Sequence, residues 1–239
     1  MQYLIHRASD RGEANFGWLK SFHSFSFGSY YDPNKMQFGA LRVLNDDWVE
    51  AGAGFPTHGH RDMEIVSIPL SGALKHEDST GTAAVIHSGD VQVMSAGTGI
   101  EHSEYNASAQ DPVAFLQIWV LPRERSVKPR YQQITLPQPF EIDRWVQLVS
   151  PNAHDEGVFV HQEAWFFMAE LSGNAVMNYV FKRPETHGVY LFVIEGAIQV
   201  QDMVLSKRDA IGIWQERQFE VRSNASARVL AIEVPLLAK

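Results

Sequence analysis

The 239-residue sequence contains no cysteine. That absence removes disulfides, thiolate metal ligands, iron–sulfur clusters and cysteine nucleophiles together, so any metal must rest on His, Asp or Glu. Positive charge is also scarce. Twenty Lys and Arg stand against 28 Asp and Glu, a net charge of -8, which is the wrong sign for wrapping phosphate backbones; no direct nucleic-acid contact is expected. No stretch reaches the ~18 consecutive apolar residues of a membrane helix. Arg7, Asp10, Arg11 and Glu13 interrupt the N-terminal region where a secretory leader would need an apolar core. The expectation is a cytoplasmic protein with no membrane partner, in which Asn106-Ala107-Ser108 and Asn224-Ala225-Ser226 are polar loop residues rather than glycosylation acceptors. Helical periodicity is missing as well.

What the chain does have is β-structure. With 45% hydrophobic and 11% aromatic residues it can bury a full core, and its length suits one large domain or two of about 120 residues. Short apolar runs bounded by Gly, Pro, Asn and Asp predict strands over 41–44, 63–70, 83–86, 90–95 and 113–121. A second series is predicted over 159–171, 175–181, 189–194, 197–201, 210–214, 219–222 and 229–234. Laid on one another, the two series form a weak repeat: Leu70-Ser71-Gly72-Ala73 matches Ile194-Glu195-Gly196-Ala197, Gly89-Asp90 matches Arg208-Asp209, and Gln117-Ile118-Trp119-Val120 matches Ala231-Ile232-Glu233-Val234. The charged stretch 121–130, flanked by Pro122 and Pro129, reads as the connection. Glu124 interrupts its basic residues, which favours a solvated linker over a nucleic-acid arm. Domains over 1–130 and 131–239 follow.

Five of the ten histidines, His58, His60, His76, His87 and His102, fall in one short stretch. In an extended strand, residues i and i+2 share a face about 6.6 Å apart. His58-Gly59-His60 and His102-Ser103-Glu104 both have that spacing, so two neighbouring strands could offer three imidazole nitrogens and one carboxylate to a metal. Such a set suits divalent Fe, Mn, Co, Ni, Cu or Zn and leaves positions open for water or substrate. A lone His-x-His is more often a surface pair or a hydrogen-bonded core pair; the second pair is what favours a metal.

Gly52, His58, His60, Glu64 and Gly72 resemble the first cupin motif. Gly89, Gly97, His102 and Asn106 resemble the second, with two extra residues before His102 and Ser95 where proline is usual. These departures match one branch. The strings His58-Gly59-His60-Arg61-Asp62-Met63-Glu64, His76-Glu77-Asp78-Ser79-Thr80-Gly81 and Gly97-Thr98-Gly99-Ile100-Glu101-His102-Ser103-Glu104 look like the pirin family. So do Ser24-Phe25-Ser26-Phe27, Tyr30-Tyr31-Asp32-Pro33 and Leu41-Arg42-Val43-Leu44-Asn45-Asp46-Asp47. Val160-His161-Gln162-Glu163 is similar to the bacterial pirin-like quercetin dioxygenases in particular.

The resemblance implies a mostly β bicupin: a metal-binding N-terminal barrel and a degenerate C-terminal one. It implies one divalent metal on His58, His60, His102 and Glu104, with non-haem iron expected first and Ni, Co, Cu, Mn or Zn as alternatives. Glu64 is the rival ligand, but it lies four residues past His60, about 13 Å along an unbent strand, so it is expected to be a supporting or structural carboxylate. The implied reaction is 2,3-dioxygenation of flavonols such as quercetin with release of carbon monoxide, the partners being a planar substrate and dioxygen. Glu104 would stay bound or accept the 3-hydroxyl proton as catalytic base. Aromatic residues between Phe22 and Tyr31 are candidates for packing on the substrate, though most are expected in the core. His76 could orient a ligand or line the entrance, but its place before Asp78 and Gly81 favours a turn-stabilising role. His6, His23, His154, His161 and His187 lack partners at ligand spacing. Transfer of the site onto the repeat through Gly196 and Asp209 puts Lys182, Pro184, Val221 and Ser223 at the ligand positions, so no metal is expected there. The alternatives are a metal- or redox-sensing regulator of a protein partner, such as a transcription factor, and a cupin enzyme of other chemistry.

Overall fold

The computed structural model describes residues 1–138 and 140–237. Its strands form two barrels, each a seven-stranded sheet with a four-stranded one. In the first, the large sheet runs in spatial order Arg130–Thr135, Asp90–Ser95, Glu64–Ser71, Val113–Val120, Leu41–Val49, Leu19–His23, Gly12–Asn15. The small sheet runs Gly54–His60, Ile100–Asn106, Ala73–Asp78, Ala83–His87. The second barrel repeats the plan with Gln2–His6, Ala210–Trp214, His187–Glu195, Ala227–Pro235, Trp165–Leu171, Val146–Ser150 and Val158–Phe159, above Val176–Val180, Gln218–Arg222, Ala197–Val200 and Met203–Ser206. No helix among the described residues is long and apolar enough to cross a membrane.

The near-continuous hydrophobicity of the long strands has a direct cause: both of their faces are buried. In Val113–Val120, alternate residues Val113, Phe115, Gln117 and Trp119 point into their own barrel, while Leu116, Ile118 and Val120 point at the other barrel. In Trp165–Leu171, Trp165, Phe167, Ala169 and Leu171 line the interior and Phe166 and Met168 face across. The residues facing across merge into one apolar core shared by the two large sheets, including Leu44, Val66, Val93, Ile118, Phe166, Phe192 and Ile232. At its margin Asp46 of the first barrel accepts hydrogen bonds from Arg11 and from Arg208 of the second.

The repeat read from the sequence is a repeat of turns. Gly72 (φ 72°) and Gly196 (φ 77°) each link a long strand to the next. A Cβ on either would press against the chain at Val113 or at Ser226 and Ala227. Asp90 and Asp209 accept the backbone N–H groups of His87 and Ser206 in matching loops. One correction is needed. Interior positions on Val176–Val180 are Met177 and Tyr179, and Met177 is the register partner of Val221. The loop leaving Val180 is longer than the one leaving His60, so Lys182 and Pro184 lie beyond the strand. Met177, Tyr179, Phe219 and Val221 fill the second barrel with apolar packing.

Two strands cross the division at residue 130. Gln2–His6 pairs with Ala210–Trp214 of the second barrel, and Arg130–Thr135 pairs with Asp90–Ser95 of the first. The strand predicted over 159–171 is broken: Val160 to Ala164 bridges the barrels, with Arg123 donating its N–H to His161 O and Gln162 Nε2 donating to Leu121 O.

Ile118→Ala, in the shared core, should lower unfolding stability by ~2–5 kcal/mol, whereas Val204→Ala at the surface should change it by less than about 0.5 kcal/mol; urea denaturation measures both. Truncation after Pro129 strips the apolar face and one sheet edge of cover, and should give aggregated protein on size-exclusion chromatography.

Candidate metal centre

Gly54–His60 and Ile100–Asn106 are antiparallel neighbours with His102 opposite His58 and Ile100 opposite His60. This register, with i, i+2 parity, turns His58, His60 and His102 into the first barrel. Their ring nitrogens converge: His60 Nε2 lies 3.0 Å from His102 Nε2, which lies 3.1 Å from His58 Nε2. Two nitrogens about 2.1 Å from one ion and at right angles to each other stand roughly 3.0 Å apart. The spacing therefore fits three ligands on one face of an octahedron. Hydrogen bonding alone does not account for it, because one imidazole nitrogen makes a single in-line hydrogen bond and His102 Nε2 faces two partners.

The tautomer also fits. His58 Nδ1 lies 2.8 Å from the carbonyl oxygen of Pro56, so Nδ1 carries the proton and Nε2 keeps its lone pair. Burial, reinforced by the neighbouring histidines, pulls His60 down to about 4 and His102 down to about 3. For His60 and His102 this favours the neutral, ligating imidazole.

Glu104 is the next inward residue beyond a bulge between His102 and Glu104. Its carboxyl is buried beside the cluster and accepts hydrogen bonds from Gln117 Nε2 (2.8 Å) and Ser67 Oγ (3.3 Å). Burial pushes it up to about 7 against those two bonds. It groups with His102 and His76 rather than with all three converging nitrogens.

Glu64 is elsewhere. Strand parity puts it on the inter-barrel face, opposite to Ile65 and Ser67, where Oε2 accepts hydrogen bonds from Ser95 Oγ (2.8 Å) and His161 N (3.1 Å). Burial holds its carboxyl up at about 7. His76 is not a turn residue. It is fully buried in Ala73–Asp78, packs against His102 and Tyr131, and donates Nε2–H to Asp78 Oδ2 (2.9 Å).

A cavity of about 410 Å³ opens onto His58, His60 and Glu104 between walls that include Trp18, Phe27, Phe55 and Trp119, with the exposed Phe16 at its rim. Of the aromatics between Phe22 and Tyr31, only Phe27 lines it; Phe25 belongs to the shared core, and Phe22 lies under Arg11. Trp119 was legible, since it shares parity with Gln117. Nothing in the sequence singles out Phe16, Trp18 or Phe55, which gather only in three dimensions.

The chain is similar to known proteins over nearly its whole length. The Pirin family model matches residues 6–120 and the model described as quercetinase C-terminal cupin domain matches residues 147–234. The chain is 40% identical over 232 residues to quercetin 2,3-dioxygenase of Escherichia coli strain K12, covering 97% of this chain and 98% of that protein. It is 40% identical over 233 residues to a putative quercetin 2,3-dioxygenase of Pseudomonas aeruginosa, covering 97% and 99%. Among solved structures, the bacterial pirin YhhW from Escherichia coli in complex with nickel(II) superposes with a TM-score of 0.92 at 37% identity, covering 99% of this chain and 100% of that one.

A carboxyl whose folded pKa is raised contributes its stability below the unfolded value of about 4.5 and loses it as pH rises through about 7. Glu64→Gln should therefore flatten the fall in urea midpoint between pH 5 and pH 8, on the order of 3 kcal/mol at most, and leave metal content unchanged.

Proposed function

The chain belongs to the pirin family, and from that premise we propose that it is a metal-dependent dioxygenase that opens flavonols such as quercetin, taking up dioxygen and releasing carbon monoxide. The observation that carries the reading is the convergence of three imidazole nitrogens in a cavity walled by aromatic rings. Full-length relatives that bear the name quercetin 2,3-dioxygenase support it. In this reading His58, His60 and His102 hold one divalent ion, iron being the first expectation, and Glu104 is the fourth ligand. The nickel(II) complex of the Escherichia coli pirin supports a single-ion site. The absence of cysteine suits the cytoplasm.

When bound, a redox-capable divalent ion supplies the electron exchange that lets dioxygen react with an electron-rich enol. The protein supplies the rest. Trp18, Phe27, Phe55 and Trp119 offer apolar faces to a planar ring system and exclude water. Glu104 accepts the proton of the flavonol 3-hydroxyl, a task for which a carboxylate buried beside the histidines and facing the cavity is placed. Gln117 and Ser67 hold that carboxyl in place before the transfer.

Single replacement of His58, His60 or His102 by Ala should lower metal occupancy measured by plasma emission spectrometry; full occupancy in all three would overturn the ligand set. Glu104→Gln should keep much of the metal yet slow quercetin cleavage per bound metal by ~10²- to 10⁴-fold, as for a lost general base. Because the substrate needs less help once ionised, that defect should shrink as pH rises through the flavonol's own ionisation. An equal defect at every pH would leave Glu104 a ligand only. Absence of oxygen uptake by the wild type with iron, nickel, cobalt, copper and manganese would reject the dioxygenase reading in favour of a regulatory one.

A further inference from the structure

The polar residues that the metal reading leaves unused are not scattered. Strand register sets His23 beside Asn45, Asn45 beside Gln117, Gln117 beside Ser67 and Ser67 beside Gln92, so one polar row crosses five strands of the large sheet. Asp47, two residues from Asn45, shares its face. Apolar clusters lie on both sides of the row, one with Leu19, Val49 and Phe115 and the other with Ile65 and Met94.

The middle of the row is satisfied, while at one end Gln92 Oε1, away from the cavity, is buried without a partner. Ser67 Oγ and Gln117 Nε2 donate to Glu104, and Ser67 Oγ also lies 2.9 Å from Gln117 Oε1. At the His23 end three more atoms are unpaired, and these face the cavity. His23 Nδ1, Asn45 Oδ1 and Asp47 Oδ1 are buried without a hydrogen-bond partner, on residues only 3%, 3% and 5% exposed. All three residues line the cavity that His58 and His60 also line, facing them from the opposite sheet. Trp119 Nε1, on the same cavity, is likewise unpartnered. Native interiors hold few such groups, because each forfeits its bonds to water and gains nothing. A concentration of them on one cavity is explained by a ligand with hydroxyl groups of its own, whose rings would lie among Trp18, Phe27 and Phe55.

We propose that His23, Asn45 and Asp47 form a specificity wall that hydrogen-bonds the ring hydroxyls of a polyhydroxylated aromatic substrate, while its enol faces the three histidines. The proposal rests on the flavonol reading and adds to it which groups of the substrate are recognised and by which residues. Asn45 and Asp47 accept from phenolic O–H groups. His23, kept neutral by burial and packed edge-on to Phe27, offers a ring nitrogen.

The test is an anaerobic fluorescence titration of the metal-loaded protein, so that binding is read without turnover. Quercetin is compared with 3-hydroxyflavone, which keeps the enol and lacks the other ring hydroxyls. The wild type should bind quercetin roughly 10- to 100-fold more tightly, the worth of one or two buried hydrogen bonds. Asn45→Leu and Asp47→Leu should abolish most of that preference and leave 3-hydroxyflavone affinity within about 3-fold. The thermal midpoint of Asn45→Leu should be unchanged or higher, because an unpaired buried carbonyl is replaced by an apolar group, whereas Asp47→Leu also gives up the hydrogen bond from Ser21 and is read by its selective loss of quercetin affinity. Asn45→Ala, which leaves room rather than filling it, should show the same selective loss. Equal weakening of both ligands, retained preference for quercetin, or a lowered midpoint with binding intact would overturn the wall and give these residues a structural role. A wild type that binds both ligands equally rejects the wall but leaves the dioxygenase reading standing; one that binds neither rejects both.

Discussion

Two seven-stranded sheets laid face to face must bury side chains on both of their surfaces, and this requirement governs every long strand of the protein. One parity is committed to the apolar core shared between the barrels, where Leu44, Val66, Ile118, Phe166, Phe192 and Ile232 meet. The other parity is then free to differ. In the second barrel it is filled with Trp165, Phe167, Tyr179, Phe219 and their neighbours, and the interior is a solid apolar core. In the first it breaks into two small clusters with polar residues between them, and that gap is where the chemistry sits. A barrel hollowed by polar groups forfeits interior packing, and its partner supplies the compensating apolar contact from outside.

Burial is also the common cause of the electrostatics at the site. The same exclusion of water that holds His60 and His102 neutral raises Glu104 and Asp47 to about 7. The interior therefore disfavours charge of either sign until a cation arrives to compensate it. Glu64 shares the raised value of Glu104 for the same reason, yet faces the joint between the barrels. A perturbed carboxyl alone does not mark the site. The side of the strand does.

That distinction explains how much was legible in the sequence. His58, His60, His102 and Glu104 announce themselves through a spacing of two. Glu64 is set aside by its distance past His60, although by spacing alone it stays in step with His60; it is the break between Gly54–His60 and Glu64–Ser71 that turns it to the other face. The twofold repeat was readable because Gly72 and Gly196 occupy a conformation with positive φ that side chains resist. Its use as a ruler failed where the chain between anchors changed length: Lys182 and Pro184 were aligned through a loop that the second barrel extends, and Met177 and Tyr179 took the interior positions instead. His76 looked like a turn residue because Asp78 and Gly81 follow it; its burial against His102 and Tyr131 depends on strands distant in sequence. The cavity walls were hidden for the same reason. Phe27 lies in the aromatic string from Phe22 to Tyr31 that offers candidates for the substrate, but Trp18 and Phe55 come from separate segments, and no local pattern ties them to it.

The exchange of strands between the barrels bears on how the molecule is made. Gln2–His6 finds its partner in Ala210–Trp214, almost the whole chain away, and Arg130–Thr135 closes the barrel that precedes it. During vectorial synthesis the segment 2–6 has to wait, unpaired, until nearly all of the second barrel has been translated. The half that carries the histidine cluster can assemble ahead of it, whereas the apolar-filled half is completed by a segment made long before. Anything fused ahead of residue 2 would therefore be felt at the edge of the second barrel, on the far side of the shared core from the histidines.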